Sequence, residues 1–225
     1  MNVLEDNEKY SFNHYSKSQL NNIIKVFGKG ILSVKPDLAR LLIGVITENV
    51  QLEVAQQENA LITQNVINSI LEIGVFPENI QTQNYNIRTK YDYIDGKQVF
   101  RGYEVTNNLN ILITNIKSAG EVIDTAVRNG ANNIGDLNFL VSNEQRYYYE
   151  VLNRAITDAQ NKARVMGNKL GVRLNNTPIR IVELAMGNIS PLPAMTFKSV
   201  SGTTPIEAGE NNIEANIEVV FEYME

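Results

Sequence analysis

Acid–base and nucleophilic chemistry draws on a short set of side chains, and few of them occur in this chain. There is one histidine, His14, and no cysteine. A Ser-His-acid triad needs a positioned imidazole, and zinc sites draw mainly on His and Cys. His14 lies in the polar stretch "MNVLEDNEKYSFNHYSKSQLNN" and reads as a solvated side chain. Two carboxylate pairs remain, Asp92 with Asp95 and Glu207 with Glu210. Paired carboxylates can share acid and base roles. Asp92 and Asp95, however, flank an Asp-Gly turn, where aspartate is favoured for local hydrogen bonding. Glu207 and Glu210 close a long loop. "GKG" at 28–30 lacks the Lys-Ser/Thr and the following helix of a phosphate loop, so a bulge or a close backbone contact within a strand accounts for Gly28 and Gly30. The expectation is a non-enzymatic protein with no catalytic residue, metal ligand or cofactor.

Side chains suited to recognition are more plentiful. In "YYYE" at 147–150, successive helical residues turn by about 100°. Tyr147, Tyr148 and Tyr149 therefore cannot all face one core, and an outward tyrosine suits a protein interface. Ile213, Ile217 and Phe221 on the terminal strand join them as a candidate interface. Asn84, Tyr91, Tyr103 and Asn108 form a candidate binding face for a small molecule or peptide, covered by the Pro-rich loop at 188–210.

The elements that must position these residues follow from hydrophobic period. "IIKVFGKGILSVKPD" reads as a strand, and "LARLLIGVITENV", apolar on both faces, as a central one. Pro36-Asp37 predicts a hairpin between them. Leu52, Ala55, Ile62, Val66 and Ile70 form a helical stripe stopped by Gly74. The ribbon "ENIQTQNYNIRTKYDYIDGKQVFRGYEVTNNLNILIT" alternates with period two about Asp95-Gly96, a hairpin signal, and predicts a half-buried antiparallel pair. A short helix with Val122, Ile123, Ala126 and Val127 inward precedes the strand "NIGDLNFLVS". A long helix spans about Asn143 to Leu170, with Leu152, Ile156, Ala159, Ala163, Met166 and Leu170 as its seam. "TPIRIVELAMG" and "NIEANIEVVFEYME" complete the strands. The order ββαββ-α-β-α-ββ predicts an α+β fold, a largely antiparallel twisted sheet with helices packed on one face. Residues 1–22 read as a flexible arm and 23–225 as one domain.

Bulk properties exclude several classes. Among 225 residues, 43% are hydrophobic and 20% charged, enough for a sizeable core. A net charge of −5 opposes generic nucleic-acid binding, which needs surplus cations to displace phosphate counterions. No run of about eighteen apolar residues spans a membrane. The first residues show no apolar segment behind a basic start, so a cytoplasmic location is expected. An exported or periplasmic one would require a removed leader.

Four segments in order, "PDLARLLIGV", "NIQTQNYNIRTKYDYIDGK…GYEVTNNLNI", "LNRAITDAQNKARVMGNKLGV" and "TPIEAGENNIEANIEVVFEY", give a resemblance over about residues 23–224. The chain resembles the bacterial SIMPL-domain family, which includes YggE-like oxidative-stress-associated proteins and a periplasmic immunogenic protein. The resemblance implies an α+β fold that builds homo-oligomers, in the periplasmic member a ring assembly, with no established reaction. The expected partner is therefore the chain itself or another protein.

Overall fold

The computed structural model describes residues 22–184, 190–191 and 204–225. The expected arm (save Asn22), His14 and most of the 188–210 loop lie outside the described residues. In chain order the elements are β1 (Ile23–Val34), β2 (Leu38–Asn49), α1 (Leu52–Glu72), β3 (Ile80–Ile94), β4 (Lys97–Ile113) and α2 (Ala119–Arg128). There follow β5 (Asn133–Leu140), α3 (Glu144–Leu170), β6 (Arg173–Leu174), β7 (Arg180–Glu183), β8 (Ser190–Pro191) and β9 (Asn211–Met224). The fold is α+β, and every strand pairing is antiparallel.

Two sheets replace the single one expected. One has the order β3-β4-β2-β5; in the other β9 is central, with β1 on one side and β6, β7 and β8 on the other. The predicted β1–β2 hairpin does not form. Pro36-Asp37 instead carries the chain from one sheet to the other, because turn chemistry permits a reversal but does not choose the partner strand. β9 matches β1 over twelve paired positions, from Ile23↔Glu222 to Val34↔Asn211. Asp37 fixes the crossover: its N–H donates to Leu140 O at 3.1 Å and its carboxylate accepts from the N–H and hydroxyl of Ser142.

Each sheet has its own core. Leu41, Ile43, Val45, Leu109, Ile111 and Ile113 pack beneath Val66 and Ile70 of α1 and Val122 and Ala126 of α2. Of the expected α1 stripe, Ala55, Val66 and Ile70 are buried and Leu52 and Ile62 half-buried, and three polar residues, Asn59, Thr63 and Ser69, are buried with them. Asn59 donates its amide to the backbone oxygens of Val45 and Val105 at 2.9 and 3.1 Å, which satisfies it within the core. Val127 of α2, expected inward, is exposed.

In the second core, Ile24, Val26, Ile213, Ile217 and Phe221 pack against α3. The seam of α3 is displaced from the one expected. Met166 and Leu170 are exposed, Leu152 and Ile156 only half-buried, and the buried line is Val151, Ala155, Ala159, Ala163 and Gly167. Small residues are required because the helix backbone nearly touches β1. A Cβ on Gly28 would lie 2.1 Å from Ala155 O, and one on Gly30 would lie 2.0 Å from Val151 O. The two glycines thus serve helix-on-strand packing: of the two sequence readings the close backbone contact holds, and the β1–β9 register runs through both without a bulge.

Candidate functional site

β2 pairs with β4 only as far as Asn49↔Tyr103. Beyond that point β3 and β4 run on as a two-stranded arm closed by Asp95-Gly96. Both turn residues have positive φ, 50° and 75°, the combination that matches strand twist in a two-residue hairpin. The expected half-burial therefore holds for β4 from Gly102 to Ile113 and fails for β3, where residues 81–89 are exposed, and along the arm, where residues 91–101 are all exposed. Among the described residues no third strand or helix covers it.

The two faces of the arm differ. On one, Phe100 meets Tyr91 and Tyr103 edge-on, with ring centroids 6.1 and 5.4 Å away. Tyr91 and Phe100 remain 47% and 46% exposed, more apolar surface than solubility requires. The other face carries Glu48, Arg88, Lys90, Asp92, Arg101 and Glu104. Arg88 Nε lies 2.6 Å and Lys90 Nζ 2.8 Å from the Glu104 carboxylate; Lys90 and Arg101 reach Glu48 at 3.2 and 3.0 Å, and Arg101 reaches Asp92 at 3.6 Å. Three cations and three anions thus close a neutral network that joins β2, β3 and β4 at the arm's root. Glu104 is 4% exposed. Burial alone would raise its pKa, but hydrogen bonds from Lys90 and Arg88 outweigh that and hold it below the ordinary value. The Lys90 ammonium is correspondingly raised by Glu104 and Glu48.

The residues singled out from sequence are distributed differently from expectation. Asn84 and Asn108 face each other across β3 and β4, and Asn108 accepts from the Asn133 amide at 3.0 Å. Tyr103 lies five positions from Asn108 on an unbroken stretch of β4, hence on the opposite face, where Phe100 links it to Tyr91. The four do not converge on one surface. Ile213, Ile217 and Phe221 are at most 2% exposed and fill the second core, so they present no face to a neighbouring subunit; Ile213 reaches only the wall of a cleft between the sheets. β9 is interior to its sheet for the same reason. Tyr147 and Tyr148 pack against that core. The Tyr148 hydroxyl donates to Glu183, and burial, reinforced by this bond, pushes its pKa up to about 12. Tyr149 points outward, its hydroxyl accepting from Gln145 at 2.7 Å.

Among the described residues, no group of three or more His, Asp or Glu is arranged to hold a metal, and no helix is long and apolar enough to cross a membrane. Asp92 is ion-paired, Asp95 forms the turn, and Glu207 and Glu210 are exposed. The carboxylates singled out from sequence are thus not gathered into one cleft.

Comparison with known proteins finds relatives along most of the chain. The chain is 28% identical over 213 residues to the 26 kDa periplasmic immunogenic protein of Brucella melitensis, across 88% of this chain and 84% of that protein. It is 23% identical over 193 residues to the uncharacterized protein YggE of Escherichia coli K12, across 85% and 76%. The profile of SIMPL, described as a protein of unknown function (DUF541), matches residues 24–221, from the start of β1 almost to the end of β9. Both sheets and all three helices fall inside that match, and the chain belongs to the SIMPL family.

Proposed function

We propose that this protein works without catalysis, by associating with copies of itself, and that the β3–β4 arm is the principal contact. The exposed aromatic face of the arm is the observation that carries this reading. Tyr91, Phe100 and Tyr103 present rigid amphipathic surface of the kind that anchors interfaces. β3 is also the outer strand of its sheet, with one row of backbone N–H and C=O groups available to another chain. The ion-pair network on the reverse face holds the arm in one direction at its root.

Hydrogen exchange measured over a range of protein concentrations tests the proposal. Backbone amides on the outer edge of β3 and in the arm are expected to gain protection as concentration rises. Protection that stays independent of concentration would refute it.

We further propose that the protein is exported. The Brucella relative is named as a periplasmic protein, and nothing in the comparisons favours the cytoplasmic expectation. Fractionation of the native cell, with recovery in the exported fraction, checks this.

A further inference from the structure

A cleft of about 640 Å³ opens where the two sheets meet, remote from the arm's tip. Leu38, Leu112, Leu140 and Ile213 supply its apolar walls. Arg40, Asn138 and Glu144 also line it, and all three are exposed. Arg40 and Asn138 are register partners on β2 and β5, and Leu112 faces Arg40 from β4. Glu144 begins α3. Among the described residues neither Arg40 nor Glu144 belongs to any of the ion pairs.

From this arrangement we infer a binding site for a small zwitterion with an apolar body, such as a short apolar peptide with free ends. A guanidinium forks onto a carboxylate, and the Asn138 amide can add a donor beside it. Glu144 supplies the acceptor an ammonium group needs. The apolar walls take up the aliphatic side chains, and the volume falls within the usual range for small-molecule sites, about 300–1,000 Å³. A simple fatty acid would leave Glu144 facing a carboxylate, and a simple amine would leave Arg40 facing an ammonium, so the pair of charges selects a ligand carrying both. The site makes no use of the arm.

Isothermal titration calorimetry with the dipeptide Leu-Leu on the full chain tests the assignment. The expected result is saturable binding that weakens about tenfold or more in Arg40→Gln and in Glu144→Gln. The same peptide acetylated and amidated at its ends, and octanoate, should each bind about tenfold more weakly than Leu-Leu to the unaltered protein. Methyl NMR shifts at Leu112, Leu140 and Ile213 on titration with Leu-Leu report the location without any substitution. No saturation at about 10 mM peptide, shifts confined to other methyls, or equal binding of the blocked peptide would overturn the inference. Loss of association in solution would leave this result unchanged, since the two surfaces are separate.

Discussion

Gly28 shows how one side chain, or its absence, can set the spacing between a helix and a strand. Its Cβ position lies inside the van der Waals envelope of Ala155 O, and backbone cannot swing aside as a flexible side chain would. Gly28→Ala is expected to cost at least about 2 kcal/mol, read as a lower urea midpoint at unchanged slope. Glu104 is the corresponding electrostatic case. Glu104→Gln keeps the shape and removes the charge that Arg88 and Lys90 share, for an expected loss of about 1–2 kcal/mol at pH 7. Because the folded-state pKa is depressed, this contribution is complete above the ordinary glutamate value of 4.5 and disappears as pH falls through the lower folded value. The stability gap between the two proteins should therefore close in acid, as urea titrations from pH 7 to pH 3 would show.

At the scale of elements, period and turn chemistry were legible, while partner choice and register were less so. The Asp95-Gly96 turn is unmistakable, and counting back from it places Tyr103 opposite Arg88. The structure places Glu104 there instead, because Arg101 is an extra residue opposite the Lys90/Tyr91 step. A β-bulge of this kind leaves no mark in hydrophobic alternation, so the ion-pair network was beyond a reading of the ribbon alone. The seam of α3 went astray for a related reason. Large apolar residues mark a helix face only when there is room for them, and glycines on β1 leave room only for alanine. Two substitutions separate the seams. Leu170→Ala, on the exposed side, should alter stability by no more than about 0.5 kcal/mol. Ala159→Leu, at the buried line, should destabilise by about 1–3 kcal/mol, both measured by thermal or urea unfolding.

Across the whole molecule, the two cores explain why a single sheet was expected and two were found. β1 and β2 are adjacent in sequence, and nothing local reveals that β1 waits for a strand nearly two hundred residues away. The α+β class was still legible, since it rests on the order of elements rather than on their partners, and so was the family, which rests on four sequence segments. The single face expected from Asn84, Tyr91, Tyr103 and Asn108 does not form, because these residues are divided between opposite faces of one ribbon. What the two-sheet arrangement leaves over is the arm, apolar on one side, ion-paired on the other and, among the described residues, uncovered by the rest of the fold. Sedimentation equilibrium of the unaltered chain beside Tyr91→Ser/Phe100→Ser tests most directly whether that arm joins one molecule to another. Self-association through it predicts a mass of at least twice 25.2 kDa for the unaltered chain and a shift toward one chain for the variant. A mass of 25.2 kDa for both at every concentration, or an assembly that the variant leaves intact, would contradict it.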